Sequence, residues 1–351
     1  MNKKILIIGP CAAESEAQME KVAQSLQAVL PEPSAQQFEF LLRAGLWKPR
    51  SSPSSFQGLG EDGLKPLVDT AYGLGLPGIT EVAHPEHLRK AYEAGLRHFW
   101  IGARTTSNPF MVEALASTPI ERKEEITWFV KNPTSPDIEL WCGAVERLRA
   151  AGYRRIGAIH RGFSLGEHTT STYRNAPMWS VPIEFKRRYP DLPLITDVSH
   201  IAGSAGLVAK LAEQSLRMGV DGLMIEVHPC PQEALSDAAQ QLTPEALSRL
   251  IERLADIPLQ SQSDEQNELA ILRQQIDETD DELWALLSKR MDICRRIGVY
   301  KREHGIPVLQ SGRYNELLTR RMQWAEAHGI APEAAKQVMD IIHEQSVLQQ
   351  I

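Results

Sequence analysis

Short apolar runs and helix-like segments alternate eight times over the first 228 residues, and then the alternation stops. The runs are ILIIG (5–9), FLLRAG (40–45), PGITEV (77–82), HFWIG (98–102), ITWFVK (126–131), RIGAIHR (155–161), PLITDV (193–198) and GLMIEV (222–227). Most follow a stretch of helical periodicity, such as AQMEKVAQSLQAVL (17–30) or GLVAKLAEQSLRMG (206–219). Strands separated by helices pair in parallel through crossover connections. Eight such units in about 250 residues are the pattern of a closed (β/α)8 barrel, the competing α/β arrangement being a doubly wound open sheet.

Beyond the eighth run the composition changes. PLQSQSDEQN (258–267) is polar and reads as a linker. Three helical segments follow, at about 265–304, 311–328 and 332–350, broken by Gly305-Ile306-Pro307 and by Gly329 with Pro332. The expected domains are a barrel over 1–257, the linker, and a three-helix all-α domain over 268–351. Its first helix is too long to cover its own apolar stripe, so a second copy of the chain is expected to pair with it and form at least a dimer. A net charge of −7 argues against a nucleic-acid partner. No apolar run reaches the roughly 18–20 residues that span a bilayer, and MNKKILIIGP is too short in its apolar part for a signal peptide. Cys11, Cys142, Cys230 and Cys294 are too far apart for a zinc finger or a disulfide framework, which fits a reducing cytoplasm.

In a barrel of this kind the chemistry sits at the C-terminal ends of the strands. GPCAAES places Cys11 after the first strand, DVSHIAGS places His200 after the seventh, and IEVHP places Glu226 at the end of the eighth, with Asp237 in the next loop. One thiolate, one imidazole and two carboxylates on neighbouring strands make a ligand set for a divalent metal, Mn²⁺ first, with Fe²⁺, Co²⁺ and Zn²⁺ as alternatives. The same rim carries Lys48 and Arg50 in LWKPRSSPSSFQG, Arg104 in IGART, Lys131 in FVKNP and Arg161 in IHRGFS. Five cations exceed what two metal-bound carboxylates neutralise, so phosphate or carboxylate substrates are expected.

These motifs resemble the type I beta group of 3-deoxy-D-arabino-heptulosonate 7-phosphate (DAHP) synthases, in the family's order over about residues 5–258. The resemblance implies condensation of phosphoenolpyruvate with erythrose 4-phosphate. It carries the metal role onto Cys11, His200, Glu226 and Asp237, and phosphoenolpyruvate binding onto Lys48, Arg104, Lys131 and Arg161. Arg50 and Ser51 fall where the family holds the aldehyde substrate, and Glu226 or Lys131 would hold the attacking water. Ser51 replaces a more usual threonine, and His160 stands where a Glu often precedes the RG pair. The chain is also expected to lack the N-terminal regulatory domain of some relatives. A metal-independent aldolase with a Schiff base on Lys131 is the rival chemistry.

On the first tail helix, apolar residues at 269, 272, 276, 283, 287, 294 and 297 form a stripe that also contains Arg290 and Lys301. Those two cations, 11 residues apart, return to nearly one face after about 1,100° of turn. Arg273, 17 residues before Arg290, lies about 100° away and would reach such a pocket only in a partner helix. LRQQIDETDDELWALLSKR, IGVYK, VLQSGR and HEQSVLQQ resemble the all-helical (AroQ-type) chorismate mutases. The resemblance implies chorismate contacts at Arg273, Arg290, Lys301, Arg313, Ser346 and Gln350, with Lys301 and Gln350 on the breaking ether oxygen. Gln310 stands where some mutases have an Asp, and Tyr314 where some have a Glu. The expected protein is therefore bifunctional, converting chorismate to prephenate as well. In the alternative, the helical tail is only a chorismate or prephenate sensor that regulates the barrel.

Overall fold

The structure, a computed structural model, describes residues 3–30, 37–49, 54–164, 172–257, 263–309 and 311–351. The chain divides into two compact units, Met1–Leu259 and Gln260–Ile351.

In the first unit eight parallel strands close into a barrel in sequence order. They are β1 (Lys4–Gly9), β2 (Phe38–Arg43), β3 (Gly78–Glu81), β4 (His98–Ile101), β5 (Thr127–Lys131), β6 (Arg155–His160), β7 (Leu194–Asp197) and β8 (Gly222–Glu226). Closure is made by β1 on β8, with Ile7 opposite Met224 and Gly9 opposite Glu226. The expected open-sheet competitor is excluded by that pairing. Observed strands start and stop within two residues of the expected ones; the largest shift is in β2, which begins at Phe38 and ends at Arg43.

Successive side chains on a strand point to opposite faces. One residue from each strand fills the barrel interior: Ile7, Leu41, Ile79, Trp100, Phe129, Ile159, Ile195 and Met224. The alternate positions pack outward against the helices in a second, larger cluster that includes Leu6, Leu42, Phe99, Trp128 and Ile225. Two positions beyond the interior residues, at the C-terminal end, the sequence reads Gly9, Arg43, Glu81, Gly102, Lys131, Arg161, Asp197 and Glu226. The barrel thus carries an apolar plug under a ring of charges.

Helix starts are set by local chemistry. Ser15 caps α1 (Glu16–Val29) by accepting from Gln18 N–H, Asp137 caps α6 (Ile138–Ala150), and Thr243 caps α10 (Pro244–Ala255), which also has proline in its first turn. The intervening helices are α2 (Leu64–Gly73), α3 (Pro85–Glu93), α4 (Ala103–Thr106), α5 (Pro109–Ala116), α7 (Ser180–Arg188), α8 (Val198–Ala202) and α9 (Ala205–Arg217).

The second unit consists of α11 (Ser263–Glu303), α12 (Ser311–Ala327) and α13 (Pro332–Leu348). The long helix begins at Ser263, inside the stretch read from sequence as linker. Its apolar stripe is uncovered in the single chain, with Leu269, Leu272, Ile276, Leu283 and Ile297 all exposed. No helix among the described residues is long and apolar enough to cross a membrane.

Gly222 tests the closure directly. A Cβ there would lie 2.2 Å from the Ile5 carbonyl oxygen and 2.7 Å from Ile195 Cδ1. Gly222→Ala is expected to destabilise the barrel by about 2–3 kcal/mol, read as a lower urea midpoint with unchanged slope.

Candidate functional site

The charged ring at the barrel's end is buried, so its members must satisfy one another. Asp197, at the end of β7 and wholly buried, accepts from Lys131 Nζ at 2.7 Å. Lys131 also lies over the Trp100 ring at 5.5 Å. Arg43, fully buried on β2, donates through Nη2 to Glu226 Oε1 at 3.0 Å and to the Cys11 carbonyl at 3.3 Å. Its Nε and Nη1 are buried without a partner. Glu226 accepts from Gln240 Nε2 at 2.7 Å on its other oxygen. Glu81 accepts from the Trp100 indole at 3.0 Å.

The four expected metal donors fall into two pairs. Cys11 Sγ is 3.2 Å from Asp237 Oδ2. His200 Nδ1 is 3.7 Å from Glu226 Oε1 and 2.9 Å from Asp197 Oδ2, buried and without a well-directed hydrogen bond. Among the described residues no three His, Cys, Asp or Glu side chains are gathered closely enough to hold a metal. The four donors therefore stand as two separate pairs, 3.2 Å apart in one and 3.7 Å in the other. Cations stand between the pairs: Lys48 Nζ donates to Cys11 Sγ and lies 3.6 Å from Asp237 Oδ2, and Arg43 engages Glu226. Arg174 takes the other Asp237 oxygen at 2.9 Å.

Electrostatics follow from burial and neighbours. Burial acts to raise the Asp197 carboxyl, but His200 and Lys131 outweigh it and hold the group well below the carboxylate range. Glu226 is lowered in the same way, with His200 and Arg43 overcoming burial, and Asp237 is lowered by Lys48 and His200. Burial pushes the Cys11 thiol up to about 12, and pushes His200 down despite its two carboxylates. The site therefore holds ionised carboxylates and a protonated thiol at neutral pH. That donor set fits a borderline divalent ion, since His200 Nδ1 faces two carboxylates and so carries the ring proton, leaving Nε2 to offer its lone pair.

Above these groups lies a cavity of about 220 Å³ lined by Lys48, Arg104, Lys131, Arg161 and Arg174, with Glu81 and Asp237 as its acids. Arg161 is positioned by Asn132, whose Oδ1 accepts its backbone N–H at 2.7 Å, and by Asn175 Oδ1 at 2.9 Å. Burial pushes its guanidinium down to about 10, so it keeps its charge at neutral pH. Five basic residues against two acids leave the cavity cationic, as an anionic ligand requires. Arg50 and Ser51 lie outside the described residues.

Arg43, Glu81, Asp197 and Arg174 were missed by the sequence reading. The first three could have been found by counting two residues on from each strand's central apolar residue. Arg174 sits in a long loop and carries no local signal. His160 faces outward, packed near Phe163 and Trp179, away from this cavity.

In the helical unit Arg290 reaches Ser346 Oγ and the Ile342 carbonyl. Gln350 Nε2 donates to the Ser346 carbonyl at 3.1 Å, and its Oε1 is buried without a partner. These three residues come together where α11 and α13 approach closely; a Cβ on Gly298 would lie 2.7 Å from Gln350 Cα. Lys301 donates to the Val308 carbonyl at 2.9 Å, Arg313 pairs with Glu316 on the exposed face of α12, and Arg273 is exposed on α11. Tyr314 stacks on His343 at 3.8 Å and bonds Asp340. Gln310 lies outside the described residues.

Comparison with known proteins adds two domains and several relatives. Residues 1–260 match the model of the DAHP synthetase I family, and residues 272–351 that of chorismate mutase type II. A phospho-2-dehydro-3-deoxyheptonate aldolase of Thermotoga maritima is 31% identical over 252 residues, covering 71% of this chain and 68% of the relative. A 2-dehydro-3-deoxyphosphooctonate aldolase of Wolinella succinogenes is 29% identical over 271 residues, covering 71% of this chain and 97% of that protein. The crystal structure of the Thermotoga DAHP synthase superposes with a TM-score of 0.61 at 29% identity, covering 72% of this chain and 68% of that one.

Lys131 is the counter-ion on which the buried Asp197 depends. Lys131→Met is expected to cost about 3–5 kcal/mol at pH 7, and less near pH 4, where Asp197 can take up a proton; urea unfolding at both pH values measures this. In the wild type the folded carboxyls of Asp197, Glu226 and Asp237 lie below their unfolded values, so their stabilisation is present above about pH 4 and is lost as pH falls below it.

Proposed function

The chain belongs to the DAHP synthetase I family and carries a chorismate mutase type II domain, and from that premise we propose that its barrel condenses phosphoenolpyruvate with erythrose 4-phosphate and its helical unit converts chorismate to prephenate. The cationic cavity that gathers Lys131 from the end of β5, Arg104 from α4 and Arg161 from just beyond β6 carries the first half of the reading. Arg104 and Arg161 hold the phosphate of phosphoenolpyruvate. Lys131, Lys48 and the two unpartnered nitrogens of Arg43 hold its carboxylate. Arg50 and Ser51 hold the aldehyde substrate. Bringing two anions that repel in water into one desolvated cavity is the main contribution of this cluster. The double-bond electrons of phosphoenolpyruvate form the new bond from C3 to the aldehyde carbon while the aldehyde oxygen takes up a proton; water adds at C2 and gives up its protons as the C2–O bond breaks, and inorganic phosphate leaves with the bridging oxygen and that bond's electron pair. Glu226 and Lys131 are the groups placed to orient that water.

Cys11, His200, Glu226 and Asp237 would hold a divalent metal, which when bound supplies Lewis-acid polarisation of the aldehyde oxygen. Lys48 must then leave Cys11, and the thiol must lose its proton.

In the helical unit Arg290, Ser346 and Gln350 form one side of a pocket for a dicarboxylate, to which Lys301 and Arg313 would turn. Arg273 would come from a second copy of the chain, which would also cover the exposed stripe of α11. All four cysteines are unpaired, which supports a cytoplasmic setting.

Phosphoenolpyruvate consumption in the presence of erythrose 4-phosphate tests the first activity. It is expected to be lost on chelation and restored by Mn²⁺; turnover indifferent to chelator would contradict the metal role of the four donors. Arg290→Ala is expected to lower kcat/KM for chorismate by about 100-fold while phosphoenolpyruvate consumption persists. A variant that loses only a response of the synthase to chorismate or prephenate would make the helical unit a sensor.

A further inference from the structure

On the outer wall of the barrel, between α7 and the turn leading into β8, lies a second cavity of about 350 Å³. Its walls are apolar: Trp179, Pro182, Ile183, Leu194, Met218 and Val220. Thr196 of β7 also lines it, wholly buried, and its hydroxyl has no hydrogen-bond partner. The residue paired with Thr196 across the sheet is His160 of β6. His160 is equally buried, with its ring against the Pro177 backbone. Its ring lies 5.1 Å from that of Trp179, which forms part of the cavity wall. The Thr196 hydroxyl is therefore an orphaned polar atom in the lining of an otherwise apolar hollow.

Buried polar atoms are normally satisfied, and leaving them unpaired costs free energy that a ligand can recover. The volume lies in the range of small-molecule sites, and mostly apolar walls with a few convergent polar groups are their usual lining. The two cations at the rim are already engaged, Lys186 with Asp221 and Arg187 with Glu184. A charged ligand group would find no free counter-charge at the inner wall. Burial pushes His160 down to about 3, so its imidazole is neutral.

We propose that this cavity binds a small neutral aromatic molecule of the phenol or indole class, whose single hydroxyl or N–H group bonds the Thr196 hydroxyl. The site is separate from the cationic cavity at the barrel's end and shares no lining residue with it.

The test uses the full chain with phenol and toluene as probes, which differ only in the group that would reach Thr196. Binding is read by saturable broadening of the probe's NMR resonances. Phenol is expected to bind more tightly than toluene. Thr196→Val, which keeps the shape and removes the hydroxyl, is expected to weaken phenol by about 3- to 10-fold, to leave toluene unchanged, and to raise the thermal midpoint of the free protein. Ile183→Trp, at an exposed position on the rim, is expected to abolish binding of both probes. The proposal is overturned if phenol does not saturate, if Thr196→Val leaves phenol binding unchanged, or if Ile183→Trp does so. It is also overturned if Ile183→Trp changes the oligomeric mass while phenol fails to bind, which would assign the hollow to a second copy of the chain.

Discussion

Asp197 has no contact with solvent, and it lies within reach of both Lys131 and His200. Without that carboxylate Lys131 would be a buried ammonium with no counter-ion, and His200 would lose the group nearest its ring. Arg43 and Glu226 form the matching pair across the barrel. A buried charge is tolerated only when paired and hydrogen-bonded. These two ion pairs are therefore what permits a cationic cavity to sit directly on an apolar plug. Glycine completes the ring: a Cβ on Gly102 would lie 2.0 Å from Glu81 Oε1, so the smallest residue makes room for an acid in the cavity wall.

The barrel itself follows from a simple rule of alternation. One side chain per strand fills the interior, and the position two residues on reaches the C-terminal end. On six of the eight strands that position is charged, three times basic and three times acidic; on the other two it is Gly9 and Gly102. Sequence thus determines the plug and the charges with the same periodicity. The remaining site residues come from loops, where Asp237 adopts a left-handed backbone conformation, φ 48°, that turns its carboxylate back toward Cys11.

Much of this was legible before the structure. The alternation of strands and helices gave the barrel, its direction and the end at which to look, because hydrophobic periodicity records which face is buried. Lys131, Arg161, His200 and Glu226 were found because they stand just at or beyond apolar runs. Arg43 and Asp197 are not singled out by the sequence because they read as interior polar residues of FLLRAG and PLITDV, with further apolar residues after them. The separation of the metal donors into two pairs was not legible at all. It depends on where the Lys48 ammonium and the Arg43 guanidinium come to rest, a matter of three-dimensional distance with no trace in spacing. In the helical unit, the stripe holding Arg290 predicted a charged pocket, but the closeness of Ser346 and Gln350 depends on Gly298 letting two helices approach.

The central idea is that one rim holds both a divalent ion and an anionic substrate, with Lys48 moving aside to open the donor set. Anomalous diffraction from crystals of the full chain grown with Mn²⁺ and phosphoenolpyruvate tests it most directly. The expected result is one strong peak bounded by Cys11, His200, Glu226 and Asp237, with Lys48 displaced from the Cys11 sulfur and the substrate phosphate on Arg104 and Arg161. A peak elsewhere, with Lys48 still on Cys11 and phosphoenolpyruvate outside the cationic cavity, would contradict it.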